Sequence, residues 1–115
     1  MDSSDDADGP LIEAPSLVKS ADGTYVLFFS SNCYAGGEYD ISYATATSVG
    51  GPYTKVQDPD APLLVTGDSG LYSPGGADVS PDGTKLVFHA DLGTTADTRQ
   101  MYTAEITISG GVVTI

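Results

Sequence analysis

Residues Asp22–Phe29 read DGTYVLFF, and residues Asp82–His89 read DGTKLVFH, 60 positions later. The Asp-Gly heading each stretch is a hairpin signal, because glycine takes the positive φ that tight turns need. The run after it is β-branched and aromatic, the composition of a strand on a half-buried sheet. A second pair keeps the same order: YATA at Tyr43–Ala46 returns as YTAE at Tyr102–Glu105, an offset of 59. Two motifs that hold both order and spacing define an internal repeat, one supersecondary unit used twice.

Each unit reads as four strands. In the first, APSLVKS turns through ADG into TYVLFFSS, and YDISYATA and GPYTKV follow. In the second, GADVS turns through PDG into TKLVFHA, then QMYTAEITI and, after Gly110–Gly111, VVTI. Fourteen Gly and seven Pro fill the breaks, and no window sustains helical periodicity, so the chain is all-β. Antiparallel units repeating at this scale predict two four-stranded blades of a β-propeller. A sandwich of two packed sheets is the alternative. The expected layout is one partial propeller domain: an acidic lead-in over 1–10, a first blade over about 11–60 and a second over about 61–115. Propellers close with about four to eight blades. Two blades therefore call for others, from further copies of this chain by homo-oligomerisation or from missing blades supplied in trans.

Composition narrows the function. Sixteen acidic against four basic side chains give a net charge of −12 over 115 residues. Such a surface repels phosphate backbones and anionic lipid, which argues against nucleic-acid and membrane partners. No apolar run approaches the roughly 20 residues a membrane-spanning helix needs. A single cysteine, Cys33, excludes an internal disulfide, and it is expected as a small buried or half-buried side chain rather than a catalytic thiol. The opening MDSSDDADGP has neither a basic nor an apolar region, so no signal peptide is expected on this chain, and its Asp cluster lacks the spacing of a metal loop.

Five stretches together, DGPLIEAPSLV, YVLFFSSNCY, YDISYATA, GPYTK and PGGADVSPDGTKLVFHA, resemble glycoside hydrolase family 43. The resemblance runs from about Asp6 to Ile108 and maps onto the last two blades of that family's five-bladed propeller. It implies hydrolysis of arabinosides and xylosides with inversion, as in arabinofuranosidases and xylosidases, and an extracellular location. The family carries its general acid as the Glu of a Glu-Ala-Pro or Glu-Gly-Pro step, which Glu13-Ala14-Pro15 matches. Pro15 is expected to hold Ala14 extended. Leu11 and Ile12 are expected to surround the carboxyl and favour its neutral form. A solvated Glu in a turn is the plainer reading of the same residues.

Inversion needs a second carboxylate acting as base, about 6.5–9.5 Å from the acid. The family takes its base from the first blade and an orienting Asp from the third, so neither maps onto this chain. Asp78 stands nearest an inner strand, at the position of Val18 in the repeat, and is expected between blades or in solvent. An antiparallel inner pair brings Glu13 to the same end as Ser30, Ser31 and Asn32, and the 60-residue offset brings Ser73 and His89 there in the second unit. Asn32, Tyr34 and His89 are thus candidate sugar contacts. A turn-capping amide for Asn32 and a structural, hydrogen-bonded role for His89 stay open beside that. Some family members use a His in the turn opening the fifth blade at a central calcium. Gly76 stands there in this chain, and no cofactor is expected. A sugar-binding module closing its ring by self-association is the alternative function.

Overall fold

The computed structural model describes residues 10–94 and 98–115. Among the described residues nine strands follow one another: β1 Ile12–Lys19, β2 Tyr25–Ser31, β3 Asp40–Ala46, β4 Thr54–Lys55, β5 Tyr72–Val79, β6 Lys85–Asp91, β7 Arg99–Glu105, β8 Thr107–Ser109 and β9 Val112–Thr114. They form antiparallel sheets in the orders β1-β2-β3-β4, β5-β6-β7 and β8-β9. The acidic lead-in lies outside the described residues up to Gly9.

The repeat is visible in the register. Phe28 pairs with Tyr43 in the first blade and Phe88 with Tyr102 in the second. Their rings sit at 6.1 and 5.8 Å, so the same aromatic pair is built twice. The turns repeat too. Asp22 Oδ1 accepts from the Ser20 hydroxyl and the Thr24 amide, and Asp82 Oδ1 from the hydroxyls of Ser80 and Thr84 and the Thr84 amide. These bonds hold both carboxyls below the usual carboxylate range. Ser-x-Asp-Gly-Thr is therefore a self-closing hairpin loop, the side chains satisfying backbone groups that the turn leaves free.

The second blade departs from the expected four strands. Its sheet has three, because the segment QMYTAEITI breaks at Ile106. The Ile106 amide donates to Thr84 O as the last rung of the β6–β7 ladder, and its side chain is buried. Beyond it, β8 and β9 form a separate hairpin that folds back on the first blade. The Gly110 amide donates to Asp22 Oδ2 and the Val113 amide to the Tyr43 hydroxyl. Val113 joins a core shared with Val18, Phe28, Tyr43, Leu86 and Phe88. Burying Val113 there is favoured over extending an exposed sheet edge.

The two first strands, β1 and β5, lie side by side. The Ser16 hydroxyl donates to Asp78 Oδ1 at 2.6 Å and accepts from the Val79 amide at 3.0 Å. Asp78 thus lies between blades at an exposed position, as expected. Its place in the repeat is that of Leu17 rather than Val18, since Asp78 pairs with Val87 as Leu17 pairs with Leu27. The slip arises because β5 carries two bulges where β1 carries one. Cys33 is exposed, correcting the expectation of burial.

Candidate active site at the mouth of the inner strands

Glu13 pairs with Ser30 across β1–β2, and Ser16 pairs with Phe28, so Ala14 and Pro15 face Phe29 alone. This is a bulge, and bulges re-aim side chains. Ala14 takes φ +54°, so Pro15 does not hold it extended. A non-glycine residue in that region is uncommon. Ser73, which like Ala14 stands directly before a Pro, sits at φ +50°. A positive-φ residue before Pro thus lies near the start of both β1 and β5.

The Glu13 carboxyl does not sit in an apolar pocket. Leu11 is 50% exposed, and Glu13 itself lies at an exposed position. Its neighbour is the Tyr39 phenol, which donates to Oε1 at 2.7 Å. Tyr39 is buried, and the Ser30 side chain lies beside its phenol. Ser30 Oγ in turn accepts from the Gly76 amide of the second blade at 2.8 Å. Burial, reinforced by Glu13, pushes the Tyr39 phenol up to about 12, so it stays a donor at neutral pH.

The second blade supplies a wall. His89 stacks on Tyr39 with ring centroids 5.9 Å apart and planes 18° apart. A Cβ on Gly75 would fall 1.8 Å from Tyr39 Cε1, and one on Gly76 would fall 2.7 Å from His89 Nε2. The two glycines make room for the two rings. Burial, with the Arg99 charge behind it, holds His89 below the usual imidazole range, against the pull of Asp91 and Glu13. Among the described residues, His89 Nδ1 and both Asp91 carboxyl oxygens are buried without a hydrogen bond. Arg99 lies 3.7 Å from Asp91 Oδ1, and its guanidinium covers the Tyr34 ring at 4.8 Å. Asp91 and Arg99 stand where Ser31 and Asp40 stand in the first blade, where the Ser31 hydroxyl donates to Asp40 at 2.7 Å.

The structure thus brings Glu13 and His89 together through Tyr39. Asn32, at φ +67°, continues the β1–β2 ladder with its amide donating to Leu11 O, two residues from Glu13. Tyr34 is exposed on the following loop, engaged by Arg99. Tyr39 was missed from the sequence: it ends a Gly-Gly loop and resembles a strand-edge aromatic. The clue was the Gly75-Gly76 pair, whose missing side chains mark where another ring lies. A calcium ion takes six to eight oxygen ligands. Among the described residues no three His, Cys, Asp or Glu side chains converge on one point, so no step is derived through a metal.

No family model and no curated protein matches the chain. Solved structures do. An endo-1,4-β-xylanase from Bacteroides thetaiotaomicron VPI-5482 is similar at TM-score 0.75 and 34% identity, over 90% of this chain and 37% of its own. A thermostable family-43 glycoside hydrolase matches at TM-score 0.72 and 31% identity, over 90% of this chain and 34% of its own. A family 43 endo-arabinanase from Bacillus licheniformis matches at TM-score 0.72 and 26% identity, over 94% and 40%. The chain spans between a third and two-fifths of the length of these proteins.

Proposed function

We propose that this chain carries two blades of the glycoside hydrolase family 43 fold, a reading the similar solved structures support, and that Glu13 is the general acid of an inverting glycosidase. The substrates are arabinose- or xylose-containing polysaccharides, as the names of the similar structures suggest. The observation that carries the reading is a carboxyl raised on a bulge at the mouth of an inner strand and held there by a phenol. Protonated, Glu13 donates to the glycosidic oxygen as the bond to the anomeric carbon breaks. A carboxylate from outside these two blades deprotonates the water that attacks the opposite face. Asn32, Tyr34 and His89 border the sugar. His89 does so as neutral imidazole, able to donate or accept a hydrogen bond but adding no charge beside the acid.

The test is the leaving-group dependence of Glu13→Gln in the enzyme assembled with the blade that supplies the base. Loss of a general acid costs about 10²–10⁴-fold in rate on poor leaving groups and little on a dinitrophenyl glycoside, which departs unprotonated. Equal losses on both substrates would sink the assignment. The anomer released first, followed by proton NMR, reports inversion or retention. The two blades alone are expected to turn over neither substrate at an appreciable rate.

A further inference from the structure

The geometry points to Tyr39 as the positioning residue of the Glu13 carboxyl, its phenol engaging Oε1 from a seat built by Gly75, Ser30 and His89 and leaving Oε2 to carry the transferable proton. The assignment rests on the reading of Glu13 as the acid. An exposed Glu side chain samples several rotamers, and a proton donor that must meet one glycosidic oxygen cannot. Tyr39 is the group that removes this freedom. Its hydroxyl donates to Glu13 beside Ser30, whose own Oγ is held by the Gly76 amide of the second blade.

The seat is specific to a ring. Gly75 has no positive φ, so the backbone does not require glycine there; the Tyr39 ring does, with Cε1 where a Cβ hydrogen-bearing carbon could not fit. His89 stacks on the same ring, at the position that Phe29 holds in the first blade. Glu13, Ser30 and Tyr39 belong to the first blade, whereas Gly75, Gly76 and His89 belong to the second. The carboxyl is therefore held only while the two blades are packed, and its orientation reports that packing.

The test reads the side chain directly in the full chain, by three-bond carbon and nitrogen couplings of Glu13 and by the Tyr39 Cζ resonance through alkaline pH. In the wild type the Glu13 couplings should be those of one rotamer. Tyr39→Phe keeps the ring on Gly75 and against His89, so β6 amide shifts should hold while the Glu13 couplings average. Gly75→Ala, which displaces the ring without touching the carboxyl, should average them as well. Glu13→Gln should bring the Tyr39 titration down from its wild-type position, since the charge beside the phenol is gone. Couplings that stay unaveraged in Tyr39→Phe, or a Tyr39 titration that ignores Glu13→Gln, overturn the assignment. None of these readouts needs turnover, so failure of the hydrolase reading shows separately, in the leaving-group experiment.

Discussion

The surroundings of His89 change its acid–base behaviour. Burial and Arg99 disfavour its charged form in the fold, while an unfolded histidine titrates near 6.5. Below that pH the unfolded chain takes up a proton that the folded chain resists, so stability falls as pH drops through about 6.5. Urea midpoints should drop between pH 7.5 and 5.5, and His89→Phe, copying Phe29, should flatten that part of the profile. Tyr39 acts at the other end. With its phenol raised to about 12, the folded chain keeps a proton that the unfolded chain releases near pH 10. Stability should therefore decline between those values, and Tyr39→Phe should remove part of the decline. Glu13 stood out in the sequence because its Glu-Ala-Pro step is local and matches a family motif. Tyr39 did not, because its importance comes from Ser30, 9 residues away, and Gly75, 36 residues away.

At the scale of elements, the repeated turn does two different jobs. Asp22 and Asp82 close equivalent loops, but only Asp22 also holds the Gly110 amide. Asp22→Ala should speed hydrogen exchange at Gly110, whereas Asp82→Ala should leave it alone and loosen only its own turn. Equal exchange at Gly110 in both variants would mean that the β8–β9 hairpin does not depend on this anchor. The bulges show how a repeat drifts. One extra irregularity in β5 displaces Asp78 by a residue and faces it toward Ser16. Strand periodicity is local and readable, but a bulge is a compromise with whatever lies alongside, here β1 against β5.

The whole molecule is held by a clasp as well as by the contact of blade on blade. β8 and β9 leave the second blade and pack Val113, 4% exposed, into the shared core next to Tyr43. Val113→Ala leaves a void between the blades and should cost about 1–3 kcal/mol in a urea melt. The β6–β7 register should survive, because those strands pair with each other. A loss below about 0.5 kcal/mol would mean that the hairpin lies loosely on the first blade, since even Ile→Val in a packed core costs that much.

The sequence by itself determined the all-β class, the twofold repeat, the Asp-Gly turns and the end of the strands where Glu13 and His89 would lie. Each follows from neighbours in the chain: alternation, turn chemistry and a constant offset. Only the tertiary structure decided that the last strands desert their sheet, that Ala14 is bent rather than extended, and that a phenol rather than an apolar pocket holds Glu13. Those outcomes are set by contacts between segments 26 to 88 residues apart. There the burial of Val113, or the absence of a Cβ at Gly75, outweighs local preference.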